Sequence, residues 1–309
     1  MESVIVRLPA TTANLAAGFD TLGCALTLYN TLAFTKSDAL SFTGCDAAYQ
    51  NENNLAWQSF CAVYAHIGQE APWAHIDIRA DIPVSGGLGS SAAMLAAGAI
   101  AANAMSSANL PLDVLLSITT RIEGHPDNLA PALYGGLTAS LMEEGTPFTV
   151  RYAPHPSLRF VTLTPDFPLS THAARAVLPK SIPYQDAVFN CGHLAVLLRA
   201  LETGDEPMIA RALQDRLHQP YRLPLIDEAE AIRALAAQNG CRAVCISGAG
   251  PTLLCITRDT AFASRMQAAV KELHHQWVVR DLAVDLTGAQ IIPAQARPSP
   301  SCPSAAHHR

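Results

Sequence analysis

The sequence predicts an α+β protein of two domains. The chain has 309 residues, which is long for a single hydrophobic core. Pro154 and Pro156 interrupt regular structure just before a new apolar strand begins, so we place the domain boundary there. The expected N-terminal domain spans residues 1–153, and the expected C-terminal domain spans residues 154–292. Residues 293–309 are rich in Pro, Ser and Ala and are expected to form a disordered tail.

The N-terminal domain is expected to contain both strands and helices. Residues 4–6 predict a strand that ends at Pro9, and residues 26–34 and 75–82 alternate in polarity as half-buried strands do. Asn53 is expected to cap a helix that precedes the last of these strands. Two further helices are expected at about 90–104 and 110–123, and two further strands at about 137–141 and 148–152.

The C-terminal domain is expected to be an α+β layer of ferredoxin-like character. Its sheet should be mostly antiparallel, because short strands there are separated both by loops and by helices. The expected strands are 158–163, 242–246, 253–257 and 277–284. The expected helices are 171–178, 186–201, 206–217, 226–238 and 260–274.

Composition limits the classes of partner. A formal charge of −6, a pI of about 6.0 and the lack of a dense Lys/Arg run argue against a nucleic-acid surface. The eight cysteines form neither a CxxC pair nor a zinc-module spacing, and the N-terminus lacks the apolar region of a secretory signal. The apolar run 92–105 is too short to span a membrane. These features favour a cytoplasmic enzyme that acts on small molecules.

The most informative stretch, residues 83–93, has the sequence PVSGGLGSSAA and precedes an alanine-rich helix. Glycines let backbone N–H groups converge on an anion, and a following helix adds its positive dipole end. No charged residue occurs from Ile82 to Leu112, so a polyphosphate there would need a metal ion such as Mg²⁺. A tight turn before a buried helix is the alternative. The candidate nucleotide-binding residues are Pro83, Val84, Ser85, Gly86, Gly87, Leu88, Gly89, Ser90, Ser91, Ala92 and Ala93.

Other phosphate-binding motifs fit this stretch less well. Residues 87–92 satisfy G-x-G-x-x-A, but a dinucleotide-binding turn requires an acidic residue about 20 residues later, at the end of a second strand. The acidic residue present, Asp113, lies at an expected helix start instead. A Walker A loop is excluded because the sequence contains no Gly-Lys dipeptide.

Several separated motifs resemble one superfamily of enzymes. Segments similar to the three motifs of the GHMP small-molecule kinases are PATTANLAAGFDTLG at 9–23, PVSGGLGSSAA at 83–93 and SGAGPT at 247–252. Within that superfamily, segments that resemble the homoserine kinase family are EGHPDN at 123–128, STHAARAVLP at 170–179 and QPYR at 219–222. The resemblance extends from about residue 4 to residue 292.

The resemblance implies a two-domain GHMP kinase fold, with an N-terminal domain like domain 2 of ribosomal protein S5 and a ferredoxin-like C-terminal domain. The active site would lie between them. Residues 83–93 would wrap the phosphates of ATP, and Ser91 would offer its hydroxyl to Mg²⁺. Glu123 would be the second metal ligand; its alternative is an exposed glutamate at a helix end.

The implied acceptor, L-homoserine, is a zwitterion with a primary hydroxyl. By the resemblance, Arg175 and Arg222 would bind its carboxylate, as suits a planar guanidinium, and Asp20 would bind its ammonium. Without the resemblance, each of these residues is ordinary on a protein surface. The implied substrate-binding residues are Asn14, Asp20, His125, Asn128, Thr171, Arg175, Arg222 and Gly248.

Asn128 would lie nearest the reacting hydroxyl, and Asn128, Ser91 and Glu123 form the implied catalytic set. Many GHMP kinases carry an Asp general base at the position of Asn128, and an amide cannot take that role. The implied reaction converts ATP and L-homoserine to ADP and O-phospho-L-homoserine, and family habit suggests a homodimer. Two alternatives stay open: a GHMP kinase for mevalonate, a sugar or a diphosphocytidyl polyol, and a non-catalytic nucleotide-binding module.

Overall fold

The computed structural model describes residues 1–293. Apart from Pro293, the tail expected at 293–309 lies outside the described residues. The strands are β1 (Ser3–Ala13), β2 (Leu22–Lys36), β3 (Ser41–Thr43), β4 (Ala74–Ala80), β5 (Leu137–Glu143), β6 (Thr146–Tyr152), β7 (Arg159–Pro165), β8 (Val244–Ile246), β9 (Leu253–Thr257), β10 (Trp277–Leu282) and β11 (Gln290–Ile292). The helices are α1 (Leu55–His66), α2 (Ser90–Ser106), α3 (Leu112–Glu123), α4 (Leu129–Tyr134), α5 (Thr171–Ala176), α6 (Tyr184–Thr203), α7 (Glu206–Ala212), α8 (Gln219–Arg222), α9 (Ala229–Gln238) and α10 (Phe262–Ala269).

The first sheet is built around the long hairpin of β1 and β2. Its strand order is β11-β1-β2-β4-β3, and β5 pairs with the start of β2 and carries β6. All of these pairs are antiparallel except β3 with β4. The chain returns to this sheet after β10, because β11 pairs with β1. The domain division at residue 153 stays a prediction, although residues 290–292 lie in the first sheet.

The expected end of β1 at Pro9 was wrong. The strand runs on to Ala13, and its pairing with β2 shifts register between Pro9 and Ala10. The shift bulges residues of β2 out of the ladder, and Thr27 bonds through its N–H to the Ala283 carbonyl, 3.0 Å away. The continued strand brings residues 11–14 to the centre of the molecule, where their side chains are buried.

The second sheet has the order β10-β7-β9-β8, and all of its pairs are antiparallel, which confirms the expected α+β class. The helix expected over 206–217 ends earlier, at Ala212. The Asp215 carboxylate then accepts the backbone N–H groups of residues 217–219 and starts a new short helix, α8. The helix expected over 260–274 is also shorter and continues as a 3-10 turn, Val270–Glu272.

Helix α2 is the central helix of the N-terminal half. It is rich in alanine and most of its residues after Ser91 are buried, so small side chains allow it to pack closely on α1 and β1. Asn54, not Asn53, caps α1, because its side-chain oxygen accepts the N–H of Ala56 at 3.0 Å. Within the described part of the chain, no helix combines the length and apolarity needed to cross a bilayer.

Candidate active site

A cavity of about 510 Å³ lies where the two halves of the chain meet. Its lining comes from seven stretches of the chain, which include each of the three glycine-marked segments. All of the substrate-binding residues predicted from the sequence line it: Asn14, Asp20, His125, Asn128, Thr171, Arg175, Arg222 and Gly248. Ser91 and Glu123 line it too.

The glycine loop forms one wall of the cavity. Gly87 and Gly89 have φ values of +76° and +69°, which side-chain-bearing residues rarely adopt. A Cβ at Gly87 would lie 2.6 Å from the Ser247 carbonyl, and a Cβ at Gly89 would lie 1.9 Å from Thr11 Oγ1. Within residues 1–293, no side chain caps the N-terminus of α2. The N–H groups in the first turn of this helix are therefore available to an anion.

Hydrogen bonds join the three glycine-marked segments. The Thr11 N–H donates to the Leu88 carbonyl at 3.1 Å, and the Ser247 hydroxyl donates to the Gly87 carbonyl at 2.7 Å. The Gly248 N–H donates to the Ala13 carbonyl at 3.1 Å. The segments at 9–23, 83–93 and 247–252 therefore form a single structure around the cavity.

Not every residue of the predicted nucleotide loop faces the cavity. The residues that line it are Val84, Ser85, Gly86, Gly87, Gly89, Ser90 and Ser91. Leu88, Ala92 and Ala93 are fully buried and pack their side chains in the core, while Pro83 is half-buried outside the lining. Leu88, Ala92 and Ala93 therefore anchor the loop in the core, whereas Val84, the glycines and the serines border the cavity.

Ser91 and Glu123 are direct neighbours, although they lie on different helices. Ser91 belongs to the first turn of α2, and Glu123 is the last residue of α3. The Ser91 hydroxyl lies 2.6 Å from both carboxylate oxygens of Glu123 and donates to that carboxylate. A hydroxyl and a carboxylate beside the glycine loop are oxygen ligands of the kind that Mg²⁺ uses together with substrate phosphates. Among residues 1–293, no cluster of three or more His, Cys, Asp or Glu forms a complete protein cage for a metal.

The segment EGHPDN holds His125 and Asn128 through a residue that the sequence did not single out, Asp127. Asp127 is buried, and its Oδ1 accepts from His125 Nδ1 at 2.6 Å and from the Asn128 N–H at 2.9 Å. Burial lowers the pKa of His125, but the hydrogen bond and charge of Asp127 outweigh this and raise it above its ordinary value. The presence of an acidic residue within EGHPDN was the sequence signal that could have identified Asp127 as the residue that orients His125 and Asn128.

A second residue missed by the sequence interpretation, Thr11, contacts Asn128. The fully buried Thr11 side chain donates through Oγ1 to Asn128 Oδ1 at 2.7 Å. Its position in the segment PATTANL was the only local signal. The contact itself joins residues 117 positions apart in the chain, so spacing alone does not reveal it.

Asp20 and Arg175, expected to bind opposite charges of a substrate, pair with each other. Arg175 donates to the two carboxylate oxygens of Asp20 at 2.7 and 3.1 Å. This hydrogen bond raises the pKa of Arg175. Both side chains are about one-third exposed, to the cavity that they line. The pair therefore places a cation and an anion side by side at one end of the cavity.

Arg222 is only 1% exposed, yet it borders the same end of the cavity. It donates hydrogen bonds to uncharged groups: the carbonyls of Ala174 at 3.0 Å and Gly248 at 3.3 Å, and the ring nitrogen Nδ1 of His218 at 3.5 Å. Burial and the nearby charge of Arg175 lower the pKa of Arg222, but an arginine stays protonated. A buried guanidinium beside a cavity attracts an anionic ligand group.

The loop that carries Asn14 and Asp20 is strongly bent. Both residues have positive φ, as do Leu15 and Ala16. Asn14 stabilises this backbone: its Oδ1 accepts from the Asp20 N–H at 2.9 Å, and its Nδ2 donates to the Gly248 carbonyl at 2.7 Å. Thr171, by contrast, is exposed at the first position of α5.

His218, which the sequence interpretation also missed, supports this loop from the C-terminal half. Its ring is fully buried, stacks on Phe19 at 5.0 Å and donates from Nε2 to the Ala16 carbonyl at 3.0 Å. Burial lowers its pKa to about 4, although Asp215 opposes the shift. His218 is therefore neutral near pH 7, and Arg222 lies over the same Phe19 ring at 5.1 Å.

The other end of the cavity, beyond the glycine loop, is less polar. It is bordered by residues that follow β3, by β4, by the start of α1 and by the first turns of α2, and its lining residues include Tyr49, Asn53, Asn54, Leu55, Ile78 and Met94. Apolar and amide side chains of this kind suit a flat ring system with polar edges.

Comparisons with known proteins agree with this architecture. The family model of the GHMP kinases N terminal domain matches residues 54–136, and the GHMP kinases C terminal model matches residues 197–276. Homoserine kinase of Clostridium botulinum (strain Okra / Type B1) is 40% identical over 291 residues, which cover 93% of this chain and 98% of that protein. Homoserine kinase of Gloeobacter violaceus is 44% identical over 273 residues, with coverages of 85% and 91%.

A solved structure shows the same fold. The crystal structure of homoserine kinase from Cytophaga hutchinsonii superposes with a TM-score of 0.86 at 27% identity and covers 94% of this chain and 98% of its own. The fold and the family-model matches thus define a GHMP kinase, an ATP-dependent enzyme of two α+β halves. Within that superfamily, the chain belongs to the homoserine kinase family.

Proposed function

We propose that this protein transfers the γ-phosphoryl group of ATP to the side-chain hydroxyl of L-homoserine, giving ADP and O-phospho-L-homoserine. The observation that supports this most strongly is that the phosphate loop and the Asp20–Arg175 pair border one cavity. A zwitterionic acceptor needs both charges close together, whereas a sugar or mevalonate does not. Membership of the homoserine kinase family supports the same substrate.

In the proposed complex, the N–H groups of the glycine loop and of the first turn of α2 bind the phosphates of ATP. The nucleoside occupies the less polar end of the cavity, near Tyr49 and Asn54. Ser91 and Glu123 hold Mg²⁺ together with the phosphates, since the loop has no positive charge of its own. Bound there, Mg²⁺ would supply neutralisation of the phosphate charge.

The acceptor occupies the opposite end. Its carboxylate binds Arg222 and Arg175, and its ammonium binds Asp20, so that the substrate replaces the ion pair between Asp20 and Arg175. Asn14 and Thr171 complete the hydrogen bonds at this end. The side-chain hydroxyl then points toward Asn128 and His125, which line the same cavity as the glycine loop.

Catalysis in this arrangement depends on positioning. Asn128 is an amide and cannot take up the proton of the hydroxyl. A phosphoryl transfer with a loose transition state requires little deprotonation of the nucleophile when the new bond forms. Orientation of the two substrates and neutralisation of the phosphate charge then supply most of the acceleration.

ADP release measured with a panel of acceptors tests this proposal. The panel is L-homoserine, D-homoserine, L-threonine, mevalonate and galactose, each with ATP and Mg²⁺. L-Homoserine should give the highest kcat/KM, and phosphorus NMR should show O-phosphohomoserine. A higher value with mevalonate or galactose favours a different GHMP kinase activity. Thermal stabilisation by ATP and Mg²⁺ without ADP release from any acceptor favours a non-catalytic module. The expected homodimer is a separate proposal, which sedimentation velocity tests.

A further inference from the structure

Thr11 contacts both sides of the proposed reaction. Its side chain is completely buried in β1, and its Oγ1 lies 2.7 Å from Asn128 Oδ1, on the acceptor side. Its backbone N–H donates to the carbonyl of Leu88, in the phosphate loop, at 3.1 Å. One residue thereby links the amide nearest the acceptor hydroxyl to the loop that binds the phosphates.

The surroundings fix the orientation of the Asn128 amide. Its Nδ2 lies 3.4 Å from Asp127 Oδ1, and a carboxylate oxygen accepts hydrogen bonds but does not donate them. The NH₂ group therefore faces Asp127, and Oδ1 faces Thr11. It follows that Thr11 donates its hydroxyl proton to Oδ1. Asn128 therefore presents an N–H group, not its oxygen, to the substrate that accepts the phosphoryl group.

Close packing holds this pair against the phosphate loop. Gly89, directly before α2, leaves the space that Thr11 occupies, because a Cβ there would lie 1.9 Å from Thr11 Oγ1 and 3.1 Å from Asn128 Oδ1. The Thr11 hydroxyl and the Asn128 amide oxygen therefore pack against Gly89 with no room for a side chain there, and rotation of the amide breaks the bond to Thr11.

From these contacts we propose that Thr11 is a positioning residue: its hydroxyl holds Asn128 with Nδ2 directed at the acceptor oxygen. This inference rests on the proposed function. The N–H group binds a lone pair of the acceptor hydroxyl and turns the remaining lone pair toward the phosphoryl group. A reacting atom displaced by about 1 Å loses on the order of 100-fold in rate, so the loss of one hydroxyl should be visible in kcat.

The test compares Thr11→Val, Thr11→Ser and the matched control Thr162→Val. Thr162 is also a buried strand threonine, in β7, and within residues 1–293 its hydroxyl has no hydrogen-bond partner. We expect Thr11→Val to lower kcat by about 10- to 100-fold. Thr11→Ser should stay within about threefold of the wild type, and Thr162→Val should not change kcat. KM for ATP should stay within about threefold of the wild-type value in all three variants.

A second readout separates positioning from a loss of folding. The ratio of ADP released to phosphohomoserine formed should rise in Thr11→Val, because a misplaced acceptor lets water compete. In the background of Asn128→Ala, Thr11→Val should cause no further loss of kcat. This cycle, with Thr11→Ala in place of Thr11→Val if the valine variant does not fold, keeps the proposal testable.

Three results would overturn the proposal: wild-type kcat in Thr11→Val, failure of serine to rescue, or full additivity with Asn128→Ala. These outcomes differ from failure of the proposed function. If the wild-type protein forms no phosphohomoserine, the proposed substrate is wrong. If it forms the product and Thr11→Val forms it equally fast, only the role of Thr11 is wrong.

Discussion

The two ends of the cavity are built in different ways. The proposed phosphate end consists mainly of backbone from residues 83–91, shaped by glycines with positive φ and by the start of α2. The proposed acceptor end consists of charged and amide side chains from distant segments, among them Asp20, Asn128, Arg175 and Arg222. The difference implies that an added Cβ should lower activity at the phosphate end, whereas the loss of a single charge should lower activity at the acceptor end.

Gly89→Ala should have the largest effect, because it disturbs the backbone-built end. The new Cβ would meet Thr11 Oγ1 at 1.9 Å in a conformation with φ of +69°, so the start of α2 must move. We expect kcat/KM for ATP to fall by about 100-fold or more. Gly192→Ala, on α6 with open space around the new Cβ, is the control; it should keep full activity and gain about 0.5–1 kcal/mol in the free energy of unfolding.

Arg175→Gln breaks the acceptor end and should leave the phosphate end intact. The variant loses the planar guanidinium that is proposed to bind the substrate carboxylate. KM for L-homoserine should therefore rise on the order of 100-fold, while KM for ATP changes little. Arg159→Gln is the matched control, since Arg159 pairs with Asp281 at 2.8 Å away from the cavity. Steady-state kinetics with each substrate varied in turn measures both constants. Parallel changes in the two KM values would contradict the separation of the two ends.

Ser91→Ala tests a side chain that takes part in the phosphate end, as a proposed ligand of Mg²⁺. Without its hydroxyl, Glu123 remains as the proposed metal ligand, so the Mg²⁺ concentration for half-maximal rate should increase by about 10-fold. Ser90→Ala, the neighbouring substitution, should shift it less because Ser90 makes no comparable contact with Glu123 in the described chain. An unchanged Mg²⁺ requirement in Ser91→Ala would remove Ser91 from the metal site.

His218→Gln should have the smallest effect on activity at neutral pH and a clear effect on stability in acid. Burial lowers the pKa of His218 to about 4, below its ordinary value of 6.5. The unfolded chain therefore binds a proton between pH 6.5 and about 4 that the folded chain does not, and stability is lost as the pH falls through that window.

The loss amounts to roughly 3 kcal/mol for His218 alone. Urea unfolding of the wild type and of His218→Gln at pH 7.5 and 4.5 should show a smaller pH dependence in the variant. An equal loss of unfolding free energy between pH 7.5 and 4.5 in the two proteins would mean that His218 does not titrate as its burial indicates.

The backbone-built end was predictable from the sequence because its information is local. Three glycines and two serines before an alanine-rich run indicate an anion-binding loop without any knowledge of the fold. The fold class also followed from local patterns, and the predicted strand 253–257 matches β9. Local patterns failed where two neighbours compete: Asn53 and Asn54 are both good caps, and only the contact with Ala56 selects Asn54.

The side-chain-built end was predictable only through the resemblance to a known family. Thr11 and His218 act through contacts with residues more than 100 positions away in the chain, and such contacts are not visible in spacing. The continuation of β1 past Pro9, which brings Thr11 to the site, depends on a register shift in β2. Pairing between strands, rather than any single segment, determines where these side chains lie.

The most direct test of the central claim measures kcat/KM for L-homoserine beside two analogues that each lack one charge. These are 4-hydroxybutyrate, without the ammonium, and 3-aminopropan-1-ol, without the carboxylate. A site that replaces the Asp20–Arg175 pair with a zwitterion should favour L-homoserine over each analogue by about 100-fold or more, since either analogue leaves one charge unpaired. Comparable values for all three alcohols would contradict the assignment of Asp20 and Arg175 to the acceptor.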